Sequence, residues 1–393
     1  MNKKLSYLIG GLGLYLVVTG VSFMGFSRVN SEGLADISGL DGKSPKTSVS
    51  PTPKYKVDPS LPKTEECPLN GMKYTKKEEE VWATRRPLAV MIENTEEARP
   101  QSGISRADII YEALAEGWIT RLMGVFYCNT PFENIEFAPV RSARTYYVDY
   151  VSEYDALYNH VGGAGRCPDD TVDPRAKALC QIQNYRIKDM DQFGIGYPDC
   201  YRNPDRLDHP VATEHTMVCF SENLYKIAEK REWTNVDDRG IAWDKNFTPW
   251  KFIDGSPTDQ SAVNTVKVQF SQGYEKYDAE WDYDKASNSY KRKTGGAAHL
   301  DLTTKEQLRV KNVVVQLTKL TGPVDEHGHL LYGTIGGGKA LIFKDGKQIM
   351  GTWSKKSRIG RTQYFGPDGK EIEFNRGLIW IELIPNESQV TYQ

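Results

Sequence analysis

The chain has little of what would name its chemistry directly. Across 393 residues, 50 basic side chains are balanced by 52 acidic ones, for a net charge of −2. No strongly basic domain or stripe exists, which excludes the electrostatic footprint of a nucleic-acid partner. There is no G-x-S-x-G, no H-E-x-x-H and no S-x-x-K with its partner motifs, so the familiar nucleophile and metalloprotease signatures are missing. No C-x-x-C pair occurs and no repeat recurs at fixed period. Gly333 to Lys339 has the spacing G-x4-G-K, but Ala340 stands where a phosphate loop needs Ser or Thr. The hairpin-like ALIFKDGKQI follows instead of a helix, so no nucleotide cradle is expected. No cofactor and no metal are implied.

The N-terminus carries a clear signal. Lys3 and Lys4 precede an uncharged apolar run, Leu5 to Phe26, long enough to cross a hydrocarbon core. No A-x-A-like cleavage site is evident, and no cysteine near the end of the run could take a lipid. The reading is a single-pass signal anchor with the positive tip inside and the rest of the chain outside the cytoplasm. The expected organisation is a cytoplasmic tip at 1–4, a transmembrane helix at 5–26, and a tether with a charged lead-in at 27–86. An N-terminal α/β domain follows at 87–255 and packs on a C-terminal, mostly antiparallel β domain at 256–393, an α+β chain overall.

All six cysteines (67, 128, 167, 180, 200 and 219) lie beyond the anchor. An even number in an exported domain favours disulfides. Cys167 with Cys180 and Cys200 with Cys219 are near enough in sequence to pair locally. Zinc held by these cysteines with His160, His209 or His215 is the alternative.

Leu88 to Ile92 reads as a buried strand, and Ile109 to Glu116 with Ile119 to Tyr127 as a hairpin, although Ala107 to Glu116 also suits a helix. Thr145 to Asp155 has helical spacing, and Ala156 to Val161 suits the strand after it. Ser221 to Arg231 is a second helix, with Ser221 as its natural N-cap. Beyond Ser261 the runs are strand-like, with tight turns at Asp345-Gly346 and Asp368-Gly369.

The densest stretch is Pro139 to Gly165, PVRSARTYYVDYVSEYDALYNHVGGAG. Arg141 and Arg144 fall at an expected helix start, where backbone N–H groups already favour an anion. Two cations there call for a negative partner, either a ligand phosphate or carboxylate or a protein carboxylate such as Glu93, Asp108 or Glu112. Ser142 lies between them. Arg99, in a Pro-Gly turn segment, would extend the site. His160 ends the expected strand, where an acid, base or donor could face a ligand, or where a buried imidazole could simply be satisfied. Gly162 and Gly163 could bring backbone amides to an anion or serve as a plain turn.

The blocks RPLAVMIEN, ARPQSGISRADIIYEAL, GWITRL, PVRSAR and YDALYNHVGG, then NVVVQ, GGGKALIFKDGK and GTWSKKS, stand out along the chain. Together they resemble the YerB-like family of exported bacterial envelope proteins, built on a domain of unknown function. The resemblance runs from about Pro87 to Pro385 and implies two consecutive family domains. Similar proteins usually carry a lipid-attachment cysteine, which this chain does not. The family's middle Arg…Pro-His-Asn block corresponds loosely to DRLDHPVATEHTM, which adds Arg206 and His215 to the candidates. The resulting expectation is a binding or scaffold module with an arginine-lined cleft. It would face an anionic envelope component or a partner protein, and it has membrane contact through the N-terminal helix. The alternative is an envelope hydrolase or transferase using the same cleft, with His160 as acid or base.

Overall fold

The computed structural model describes residue 58 and residues 60–131, 133–168, 171–258 and 263–393. The tip, the anchor and the tether up to residue 57 lie outside the described residues. No helix among the described residues is long and apolar enough to cross a membrane.

The centre is a ten-stranded mixed sheet. Its strands in chain order are β1 (Leu88–Glu93), β2 (Ile109–Leu114), β3 (Thr120–Phe126), β4 (Leu157–His160), β5 (Lys188–Asp191), β6 (Asn312–Leu317), β7 (Gly336–Lys344), β8 (Lys347–Lys355), β9 (Gln363–Phe365) and β10 (Ile379–Ile384). Across the sheet the order is β9-β8-β7-β6-β10-β2-β3-β1-β4-β5. The pairs β6–β10, β10–β2, β1–β4 and β4–β5 are parallel, and the others are antiparallel. β1, β2 and β10 are buried at every position, which is why they read as unbroken apolar runs rather than alternating ones. The edge strand β5 is KDMD, and its charges discourage further pairing.

Layers cover both faces. On one side lies α2 (Thr145–Val151), a short helix after α1 (Lys76–Trp82) in chain order. Tyr150 of α2 stacks on Tyr111 at 4.3 Å, and its hydroxyl accepts from Gln316 Nε2 at 2.9 Å. On the other side is an antiparallel sheet in the order 297–298, 289–294, 279–284, 265–268, 390–392. Trp281 of that sheet packs edge-on against Trp380 of β10 at 5.2 Å. Three further helices complete the set among the described residues: α3 (Ala178–Asn184), α4 (Gln192–Ile195) and α5 (Ser221–Lys230). Few helices and many strands make this an α+β fold.

Several details differ from the sequence reading. Strands from 87–255 and from 256–393 share the central sheet, because β10 inserts between β6 and β2. Ordered structure starts before Pro87: Lys63–Glu66 pairs with Lys73–Thr75, and α1 follows. The charged KKEEE run is helical because Thr75 and Glu78 cap each other's backbone N–H groups, while Trp82 is buried on Tyr74 and Tyr127. Arg86 is fully buried and paired with Asp155. The α2 helix ends at Val151, short of Asp155, whose backbone is left-handed at φ 42°. Ser221 is the first residue of α5 rather than its cap; Phe220 holds that place, and Ser221 Oγ instead serves the Glu133–Ile135 backbone.

Candidate functional site

The Pro139–Arg144 loop is laid across the carboxyl ends of the parallel strands β1 and β4. Arg141 N donates to Met91 O at 2.9 Å, Val161 N to Arg141 O at 3.0 Å, and Ala143 N to Gly162 O at 3.0 Å. The loop therefore extends the sheet beyond its strands and delivers Arg144 to the N-cap of α2. Carboxyl ends of parallel strands are the usual place for a ligand in such sheets.

The arginines meet protein carboxylates. Arg141 Nε donates to Glu93 Oε1 at 3.0 Å, and the other oxygen of Glu93 accepts from His215 Nδ1 at 2.8 Å. Glu93 itself is buried. Arg144 grips Glu116 with two parallel hydrogen bonds of 2.6 and 2.5 Å. Burial alone would raise the Glu116 carboxyl, but the Arg144 hydrogen bonds and charge, with Arg121 behind them, bring it down to about 2. Arg121 donates to Ser142 O at 3.2 Å and is itself lowered, by burial first and then by Arg144. Of the two anions considered for these cations, the structure supplies the protein carboxylate. Glu93 was among the expected partners. Glu116 was not, because only the turn after β2 swings it back over the helix start.

A groove of about 490 Å³ opens beside this frame, lined by Ser142, Gly162, Gly163, Gly165, Arg166, Leu179 and Phe193 among others. Three of the sequence candidates thus share it: Ser142, Gly162 and Gly163. Gly162 is left-handed at φ 55°, and a Cβ there would come within 3.3 Å of the Phe193 ring. Phe193 is 69% exposed on α4, so its ring stands open at the edge of the groove. Arg166 and Phe193 escaped the sequence reading; neither belongs to a periodic pattern, and only the chain path brings them to Ser142.

The remaining candidates lie elsewhere. The His160 side chain is fully buried: Nδ1 is 2.8 Å from Gly162 O, and Nε2 is 3.0 Å from Asp189 Oδ1, poorly aligned for a hydrogen bond. It holds the turn into the glycines and does not face the groove. Arg206 clamps two backbone carbonyls, Pro100 O at 2.7 Å and Ala98 O at 2.6 Å, and burial lowers it to about 10. Arg99 lines a separate pocket of about 260 Å³. Its Nε and Nη2 bond Asn94.

The six cysteines form three disulfides, Cys67–Cys128, Cys167–Cys180 and Cys200–Cys219. The two local pairings agree with the sequence reading. Cys200 and Cys219 stand directly opposite on neighbouring strands. The zinc alternative therefore loses its thiolates. The one group of three possible metal ligands among the described residues, Cys67, Asp108 and Cys128, has both sulfurs in the bridge.

Fold and site together define a disulfide-bonded α+β protein in which one sheet joins two sequence regions and carries a groove at its strand ends. Residues 70–234 match the N-terminal domain, and residues 266–381 the C-terminal domain, of the DUF3048 proteins of unknown function. The chain belongs to that family. It is 29% identical over 329 residues to a Bacillus subtilis (strain 168) protein named "Putative lipoprotein YerB", covering 84% of this chain and 88% of that one. The crystal structure of the Bacillus subtilis YerB protein is similar too, with a TM-score of 0.68 and 26% identity over 84% of this chain and all of the other.

Proposed function

We propose that the protein is a membrane-anchored, extracytoplasmic envelope protein that works as a binding or scaffold module. Its ligand is an anionic envelope component or a partner carboxylate, taken at the groove beside Ser142. The observation that carries this reading is the groove itself. It opens at parallel strand ends on a backbone braced by the Arg141–Glu93 and Arg144–Glu116 pairs, and it offers Arg166 and an exposed Phe193 to a visitor. In this reading the family arginines build the rim and Arg166 meets the anion. Three disulfides suit an oxidising compartment outside the cytoplasm. The relative YerB bears a lipoprotein name, and here the apolar run Leu5 to Phe26 would take the place of a lipid.

One observation favours the second reading, an envelope hydrolase or transferase. His215 is oriented through Nδ1 by the buried Glu93, the arrangement of a general base and its orienting carboxylate. The acid–base role would then fall to His215 in place of His160.

A thermal-shift screen of the purified chain against envelope glycans, phosphate-bearing polymers and nucleotides tests the proposal. It is to be repeated on R166A/F193A and on R141A/R144A. A ligand that stabilises the wild type should fail on R166A/F193A. Stabilisation that survives in that variant removes the groove from the binding hypothesis.

A further inference from the structure

The hairpin between β2 and β3 turns through Gly117 and Trp118, both left-handed, at φ 66° and 60°. A bulky residue there is strained, and such strain persists where the surroundings or a function hold it. Trp118 is 39% exposed, and its ring faces that of Tyr274, 38% exposed, with centroids 6.5 Å apart. Among the described residues no hydrogen bond occupies the Trp118 indole N–H or the Tyr274 hydroxyl. Tyr274 opens the single turn Glu275–Tyr277, and Lys276 in that turn lines the Arg99 pocket together with Glu96, Thr294 and Ala298. Arg99 lies over the Tyr277 ring at 5.2 Å and donates Nη1 to Lys276 O at 3.0 Å. Lys276 and Glu96 are 3.4 Å apart and both well exposed, a pair weak enough to yield to another anion.

We propose that these residues form a second binding site, for an anionic sugar. The pyranose ring would lie on Trp118 and Tyr274, whose apolar faces take ring C–H groups while their polar tips meet hydroxyls. The sugar's carboxylate or phosphate would enter the pocket to Arg99 and Lys276. Tyr274 immediately precedes the turn that carries Lys276, so the aromatic pair and the mouth of the pocket are joined by one short segment of chain. The site shares no lining residue with the Ser142 groove, and the two can fail separately.

The test is calorimetric titration of the full-length chain in detergent with trigalacturonate, glucose 1-phosphate and neutral maltotriose. The carboxylate and phosphate arms separate the two anion sources. At least one acidic sugar should bind about tenfold more tightly than maltotriose. K276E should lose that preference, and W118A should weaken the acidic sugar about tenfold. W118N removes the ring but tolerates the left-handed backbone, so it should melt at or above the wild-type temperature while losing binding. Failure of both acidic sugars to bind the wild type overturns the proposal, as does wild-type affinity in W118N. Binding abolished by R166A/F193A but retained in W118N would also overturn it, by placing the sugar in the Ser142 groove.

Discussion

Arg292→Leu and Glu382→Gln, two changes at one buried cluster, should have very unequal effects. Arg292 is fully buried between the two sheets, its guanidinium 4.1 Å from the Trp380 ring and 4.8 Å from that of Trp281. It donates to Glu112 Oε2 at 2.6 Å and to Glu382 Oε1 at 3.0 Å, and its Nε meets His299 Nδ1 at 3.0 Å. One cation thus faces two carboxylates. Burial, then the charge of Glu112, pushes Glu382 well above the usual carboxylate range. Glu382 Oε2 has no donor facing it, and a hydrogen bond shared with Glu112 adds to the preference for the protonated acid. Burial, then Arg292, likewise holds His299 neutral, so its Nδ1 can accept. Removing Arg292 leaves a buried negative charge without its partner, which costs roughly 3–5 kcal/mol. Gln at 382 mimics the protonated acid, accepting from Arg292 and Trp281 and donating to Glu112 without taking up a proton, so E382Q should be at least as stable as the wild type at pH 7. Urea unfolding at pH 7, followed by tryptophan fluorescence, measures both. Because the folded state keeps a proton that the unfolded chain releases, wild-type stability should fall relative to E382Q as pH rises above the ordinary glutamate range. A loss in E382Q as large as that in R292L would refute proton sharing and mean that both carboxylates are ionised.

Other consequences are open to measurement. Glu116, lowered to about 2 from an ordinary 4.5, stabilises the fold by roughly 3 kcal/mol above pH 4.5 and loses this as pH falls toward 2. Acid unfolding of E116Q should lack that component. Serine at Cys67 and Cys128 opens a closure across 61 residues and should cost about 4 kcal/mol in chain entropy, read from the urea midpoint under oxidising conditions. G162A forces a side chain into a left-handed position beneath Phe193 and should cost about 1–2 kcal/mol in thermal melts. If Phe193 contributes to the groove, G162A should also weaken any groove ligand.

How much was legible in the sequence follows from how local each determinant is. β1, the β2–β3 hairpin and the Asp345-Gly346 turn were readable because their apolar runs and turn residues act over a few positions. α1 was hidden because its charges mask a capping box and one buried tryptophan. Ser221 misled because an N-cap requires a free oxygen, and the tertiary fold commits this one to the Glu133–Ile135 segment. At the site, the need of Arg141 and Arg144 for anions was legible from charge at a helix start, and so was Glu93 as a candidate partner. Glu116, Arg166 and Phe193 were not, since each reaches the site from a different turn or helix.

The sequence by itself determined the strand-rich composition, the even cysteine set with its two local bridges, the family, and the block from Pro139 to Gly165. All of these rest on neighbouring residues or on whole-chain counts. Only the tertiary structure decided that β10 joins the two family regions in one sheet, that Cys67 reaches Cys128, and that His160 turns inward while His215 takes the second oxygen of Glu93. Those outcomes depend on pairing between segments far apart in the chain. There the deciding energies are desolvation and packing, which no local spacing records.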